Sequence, residues 1–335
     1  MFEIVQYTIQ CMIEGALRMI LTSIHLVTNF IATRLKYLSL NRLTVCKCQN
    51  RVRGKVVVLT GATNGIGYYT ALDLAKKGSL LYLACRNGEK AKKIVRNLRR
   101  VTDNKEIHYL HLDLSKFSTI ENFVTAFKDR EQTLNVLINN AAIFHHPSYL
   151  TEDGIEVTYQ TNYLGVYMLT SKLEPLLKNT PASQVVFVSS EAHRLVTAED
   201  VKNFDCTKEV ELRTFHDHVK LYGISKLALH MYADHLSKEA VGVSVLLVNP
   251  GNVWSNIYQN CWLSWRDLVT RTKCAVYMRD PKEGAQSTIH AVNSPRGTRY
   301  YITDTLSKDT LEEYDSGFLI KKSSQLLRPK SVSMS

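Results

Sequence analysis

Tyr222 and Lys226 stand four residues apart in Tyr222-Gly223-Ile224-Ser225-Lys226, which opens a helical pattern running to about Ala240. That spacing puts the phenol and the ammonium on one helix face. A free tyrosine titrates near ~10 and is a poor base at neutral pH. A lysine cation beside it would stabilise the phenolate and lower that pKa, which suits the pair to general acid–base catalysis. With 17 tyrosines in 335 residues, a Tyr-x-x-x-Lys can arise by chance. Its significance therefore depends on the elements that would position it.

Those elements alternate. Lys55-Val56-Val57-Val58-Leu59-Thr60 is a β-branched run of the kind buried in a parallel sheet. It runs into Gly61-Ala62-Thr63-Asn64-Gly65-Ile66-Gly67, and a helical pattern continues to about Lys77. Glycines at a strand-to-helix turn let the backbone approach a pyrophosphate, which the open N–H groups of the helix start then bind. Further strands are expected near Leu80–Cys85, Ile107–Leu112 and Leu134–Ile138, with helices near Glu89–Val101 and Phe117–Lys128. Val185 to Val188 form another buried strand, ending in the hydroxyls of Ser189 and Ser190. This alternation predicts an α/β fold, a single doubly wound parallel sheet of Rossmann type, with the ligand over the carboxyl ends of the strands. The second strand ends Ala84-Cys85-Arg86-Asn87, with no acid before Glu89. An acid there would bind a ribose 2′-hydroxyl, whereas Arg86 matches a 2′-phosphate, so NADP(H) is expected over NAD(H).

In this order, the glycine turn, Asn139-Asn140-Ala141-Ala142, Ser190 and Tyr222/Lys226 resemble the short-chain dehydrogenase/reductase superfamily over about residues 54 to 303. The resemblance implies that Tyr222 is the acid/base, that Lys226 binds the nicotinamide ribose and tunes Tyr222, that Ser190 rather than Ser189 hydrogen-bonds the reacting oxygen, and that Asn162 anchors a relay water. It assigns Thr60, Gly61, Asn64, Gly65, Ile66 and Gly67 to the cofactor turn. Asp113 and Leu114 fall at the adenine, and Asn139 and Ala141 beside the dinucleotide. Pro250, Gly251, Val253 and Ser255 match the nicotinamide-side motif, with Ser255 where threonine is commoner. Ala84-Cys85-Arg86-Asn87, Ser189-Ser190-Glu191-Ala192-His193, Pro281-Lys282-Glu283-Gly284-Ala285 and the 31 residues between Ser190 and Tyr222 are similar to the retinol-dehydrogenase branch. Gly65-Ile66-Gly67-Tyr68, Asn162-Tyr163-Leu164-Gly165 and the run to Ile257-Tyr258 resemble its polyprenol-dehydrogenase type. The end of the second strand departs from that type, so cofactor choice is not carried over from it. The implied reaction is hydride exchange between a nicotinamide and a carbinol carbon.

The net charge is +11, and seven basic residues without an acid lie between Arg34 and Lys55. They follow a helix in which Ile9, Met12, Ile13, Ala16, Leu17, Ile20, Leu21 and Ile24 recur at three- and four-residue spacing. Its longest uncharged stretch, Met19 to Thr33, has 15 residues, short of the ~20 that span a bilayer upright. Glu3 and the lack of a cleavage site argue against a signal peptide. A spanning helix and an in-plane amphipathic helix both remain open. Either puts the following domain on the cytosolic side of a membrane, with the endoplasmic reticulum the expected one.

Residues 1–45 are thus expected to meet membrane lipid, 46–306 to form the dehydrogenase domain and 307–335 a polar, flexible tail. Seven irregularly spaced cysteines suggest a reducing compartment; Cys46 and Cys48 could accept palmitate. His108/His111, His145-His146 and His216-Asp217-His218 lack a fourth-ligand pattern, and no metal is expected. Trp254, Tyr258, Trp262 and Trp265 lie in an aromatic segment, Asn252 to Met278, after the nicotinamide-side motif. They suit either a lipophilic pocket wall or a capping helix. The expected partners are a lipophilic alcohol such as a retinoid or polyprenol, membrane lipid and a second copy of the chain, and not nucleic acid. A hydroxysteroid dehydrogenase and a non-catalytic Rossmann-fold binding protein are the alternatives.

Overall fold

A computed structural model describes residues 50–258, 278–294, 299–302, 305–306 and 316–327. The expected N-terminal helix, its basic flank up to Gln49 and most of the aromatic segment (259–277) lie outside the described residues. Among the described residues no helix is long and apolar enough to cross a membrane.

The strands are β1 (Val56–Thr60), β2 (Leu80–Cys85), β3 (Ile107–His111), β4 (Val136–Asn139), β5 (Gln184–Val188), β6 (Ser244–Asn249), β7 (Arg299–Ile302) and β8 (Thr305–Leu306). They form one sheet in the order β3-β2-β1-β4-β5-β6-β7-β8. All pairings are parallel except β7 with β8. The helices are α1 (Gly65–Lys76), α2 (Gly88–Thr102), α3 (Phe117–Lys128), α4 (Gly165–Asn179), α5 (Ala198–Asn203), α6 (Phe215–Glu239), α7 (Pro281–Asn293) and α8 (Gly317–Leu326).

The alternation of β1 shows why the sheet needs helices on both faces. Val56 and Val58 enter one core with Phe123 of α3, Leu169 of α4 and Leu227 of α6, whereas Val57 and Leu59 enter the other with Leu74 of α1, Leu98 of α2 and Ala291 of α7. Every β1 side chain is buried, which is why the sequence reads as an unbroken apolar run. The strand order reverses between β1 and β4, so the carboxyl ends of β1, β4 and β5 open onto one crevice.

Two sequence expectations change. The helix carrying Tyr222 starts seven residues earlier, at Phe215, because the Thr214 hydroxyl accepts from Asp217 N–H and the Asp217 carboxylate accepts from Thr214 N–H. The stretch read as a flexible tail contains α8, which docks on the domain. Leu319 is fully buried there, Tyr163 and Tyr167 bond to Ser323 and Ser324 at 2.8 and 3.0 Å, and Lys322 donates to the Phe204 carbonyl at 2.6 Å.

Candidate active site

The β1–α1 turn leaves room for backbone only. Gly61 has φ +72° and Gly65 φ +57°, a region that side-chain-bearing residues seldom adopt. A Cβ on Gly67 would lie 2.3 Å from the Gly61 carbonyl oxygen, and one on Gly65 3.1 Å from Ser255 Cβ. Asn140 holds the turn from β4: its Nδ2 donates to the carbonyls of Thr60 and Gly61 at 2.9 and 3.2 Å. The Thr60 hydroxyl oxygen accepts from the N–H groups of Asn140 and Ala141 at 2.9 and 3.0 Å. Asn64, which caps α1, makes no capping bond through its side chain, so it leaves the first N–H groups of α1 facing the crevice. Asn139 donates to Thr170 at 3.0 Å while its Oδ1 is buried without a partner. This side-chain-free cradle, open helix start and orphaned acceptor fit a dinucleotide. Gly67→Ala is therefore expected to weaken nicotinamide-dinucleotide binding by about 10–100-fold, because backbone must move to admit the methyl. A fluorescence titration giving the wild-type Kd would remove the turn from the site.

At the flank of the cradle Arg86 is exposed just past β2. Asn87 caps α2 by accepting from Lys90 N–H at 2.9 Å. The Asp113 carboxylate accepts from Ser115 N–H and hydroxyl at 3.0 and 2.7 Å, which orders the turn after β3. Leu114 is buried beside it, and its carbonyl oxygen lies 2.3 Å from where a Cβ on Gly165 would sit.

Across the crevice, α6 brings Tyr222 and Lys226 to the end of β5. The Lys226 Nζ lies 5.6 Å from the Tyr222 ring centroid and donates to the Val188 carbonyl at 2.8 Å. Ser190 lies beside the Tyr222 phenol and tends to lower its pKa. The phenol's pKa moves opposite to the expected lowering. Burial pushes Tyr222 well above its ordinary range, reinforced by Tyr258 and opposed only by Ser190. Burial also brings Lys226 down to about 7. Both groups are driven toward their neutral forms, because neither has a buried counter-charge.

Asn162 sits in a π-helical turn, Gln160–Leu164, inserted before α4. Its Oδ1 accepts from Ile143 N–H at 2.8 Å, and its Nδ2 donates to the Ile143 carbonyl at 2.9 Å and to Ser225 Oγ at 3.1 Å. Ser225 donates onward to the Tyr222 carbonyl at 2.7 Å. Asn162 is thus tied to the helix turn that carries Tyr222, and the π turn is what aims it there.

The stretch 250–255 meets the glycine turn from β6. After Pro250, Gly251 has φ +75° and donates to Asn249 Oδ1 at 3.1 Å. Val253 pairs with Arg279 and packs on Gly284, which also faces Ile66. Ser255 meets the glycine turn itself. The sequence-predicted residues thus fall at the ends of β1 to β6 or in the turns that follow them, on the π-helical turn before α4 and on α6, at the carboxyl edge of the sheet.

Phe144 was not singled out from sequence. Its ring lies edge-on to Tyr222 at 5.1 Å, to Tyr258 at 5.6 Å and to Phe215 at 5.9 Å. Trp254 stacks on Tyr258 at 6.1 Å. His145 and His218, apart in sequence, stack at 3.8 Å on the same side. A single loop aromatic has no periodicity to betray it. Asn140 and Ser225 were visible only as members of their motifs.

Comparison with known proteins agrees with this geometry. The sequence model of the short chain dehydrogenase family matches residues 55–208. The chain is 33% identical to human retinol dehydrogenase 11 over 252 residues, covering 73% of this chain and 75% of that protein. It is 32% identical to human polyprenol dehydrogenase over 294 residues, covering 84% of each. It is also 32% identical to chicken WW domain-containing oxidoreductase over 245 residues, 72% of this chain, and there it spans 58% of the relative's length. Among solved structures, a Shigella flexneri short chain dehydrogenase complexed with NADP superposes with a TM-score of 0.60 at 19% identity, covering 77% of this chain and all of that one. The chain belongs to the short-chain dehydrogenase/reductase superfamily, in its retinol-dehydrogenase-like branch, and is an NAD(P)-dependent oxidoreductase.

Proposed function

We propose that the protein interconverts a lipophilic alcohol of the retinoid or polyprenol type and its carbonyl compound, with NADP(H) preferred over NAD(H). The observation that carries this reading is the aromatic wall, Phe144 backed by Phe215 and Tyr258, standing directly against the Tyr222 phenol. A wall of that kind favours an apolar chain next to the carbinol. The names of two relatives, a retinol dehydrogenase and a polyprenol dehydrogenase, point the same way. The amphipathic pattern at the N-terminus would hold the domain at the membrane where such alcohols dissolve.

The glycine turn and the start of α1 would hold the pyrophosphate, Arg86 the 2′-phosphate and Lys226 the nicotinamide ribose. A nicotinamide held there would supply the hydride exchange with the carbinol carbon. Ser190 donates to the substrate oxygen and holds it at the phenol. In reduction Tyr222, a neutral phenol by burial, gives its proton to that oxygen as negative charge develops. In oxidation the same phenol oxygen takes the proton back, helped by the positive charge of Lys226. Asn162 and Ser225 keep the turn of α6 that carries Tyr222 in register with β4.

A turnover screen of the full chain in detergent, read at the nicotinamide absorbance, tests the reading. Retinol or polyprenol is expected to outpace a steroid and small ketones, with NADP(H) preferred. Arg86→Ala should reduce that preference by about tenfold, the scale of one charge-assisted contact. Activity on small soluble carbonyls alone would sink the lipid assignment, and an NAD(H) preference would remove the role given to Arg86.

A further inference from the structure

Behind the reaction centre lies a buried histidine pair to which no part of the mechanism above assigns work. His230 is on α6, one turn past Lys226 and two past Tyr222, on the same helix face. Its Nε2 shares a hydrogen with the Ser189 hydroxyl at 2.5 Å. His193, in the turn after β5, stacks on the His230 ring at 3.9 Å with 21° between planes. The His193 Nδ1–H donates to the Ser190 carbonyl at 2.6 Å, which fixes that nitrogen as a donor. Both rings are buried.

The three residues that end and follow β5 are thereby each held, two of them directly from α6 and the third through a turn residue stacked on α6. Lys226 holds the Val188 carbonyl, His230 holds the Ser189 side chain, and His193, stacked on His230, holds the Ser190 backbone. Ser190 sits in the turn just past β5 and Tyr222 on α6, so their separation is set by whatever joins the two. Lys226 is the residue expected to serve the cofactor; the histidine pair makes its contacts to the serines without it. The His230 ring is kept neutral by burial, with His193, Arg194 and Lys226 adding to that effect, and a neutral ring suits a bond to a hydroxyl.

We propose that the His193–His230 stack is a positioning device that sets Ser190 against Tyr222, so that the substrate oxygen is held by both. This rests on the reading that Ser190 and Tyr222 act on that oxygen. A displacement of the serine by a fraction of an ångström weakens the transition-state contact more than it weakens binding, so the loss falls on kcat.

The test uses the full chain in detergent with the best substrate from the screen. His230→Phe keeps an aromatic ring for the stack and removes the bond to Ser189. It is expected to lower kcat about tenfold, with the cofactor KM changed less than about twofold. It also orphans a buried hydroxyl, so some loss of melting temperature is expected. The double variant Ser189→Ala/His230→Phe removes that hydroxyl and should recover the melting temperature without recovering kcat. If kcat returns together with the melting temperature, the pair is merely structural and the inference is overturned. Tyr222→Phe run in parallel separates the two readings. Wild-type turnover in that variant refutes the site itself, whereas an inactive Tyr222→Phe beside a fully active His230→Phe refutes the positioning role alone.

Discussion

Tyr222→Phe is expected to lower kcat by about 10²–10⁴-fold, the range for loss of a positioned general acid or base, or roughly 3–5 kcal/mol of barrier. Cofactor affinity should stay within about twofold, because the hydroxyl is directed at the substrate oxygen and the ring is retained. The ring matters independently: it is packed against Phe144 at 5.1 Å, and a phenylalanine preserves that contact. Stability should change little, since the neighbour of the lost hydroxyl, Ser190, is half-buried and can turn to water. Steady-state turnover together with a cofactor titration checks both halves. Equal activity in the variant would mean that another group moves the proton.

The burial of Tyr222 bears on direction. With the phenol pushed above its ordinary range by burial, Tyr222 is held as a proton donor. Reduction can use it directly, whereas oxidation needs the phenol ionised first and so depends on added positive charge near the ring. The steeper pH dependence is therefore expected on the oxidative side, rising with pH.

Elements whose register is fixed by both-face burial were legible in the sequence. β2 was expected over Leu80–Cys85 and is found there, because an unbroken apolar run bounded by Gly78-Ser79 and Arg86-Asn87 leaves little freedom in its ends. The start of α6 was legible too, in Thr214-x-x-Asp217, but Tyr222 drew the helix start to itself. The docking of α8 was hidden because its burial is carried by single residues, Leu319 and Ser323, within a polar stretch. Site residues in motifs could be placed by their order along the chain. Phe144 and His230 could not, since their roles come from contacts across 41 to 114 positions of sequence, as in His230 to Ser189 and Phe144 to Tyr258. The electrostatic sign was also out of reach: proximity of Lys226 to Tyr222 was foreseen, and the burial that outweighs it was not.

Lys226 gives the second large effect, with opposite signs for function and stability. Among the described residues its amine meets no buried carboxylate; it donates to the Val188 carbonyl, and burial brings its pKa from 10.5 down to about 7. Between those two values the unfolded chain binds the proton that the folded chain releases. The group therefore destabilises the cofactor-free fold, fully at and below about pH 7, and the cost fades as pH rises toward 10.5. Lys226→Met, which fills similar space with an apolar chain, should raise the melting temperature of the cofactor-free protein at pH 7 by roughly 3 °C. The gain should shrink steadily toward pH 10. The same variant should lose at least about 10²-fold in kcat, since both the ribose contact and the charge that helps ionise Tyr222 are gone. Saturating dinucleotide should then stabilise the wild type more than the variant, and reverse their order, because only the wild type keeps the amine proposed to bind the ligand's ribose. A variant that melts lower than wild type at pH 7 without cofactor would show that the amine is satisfied inside the empty site.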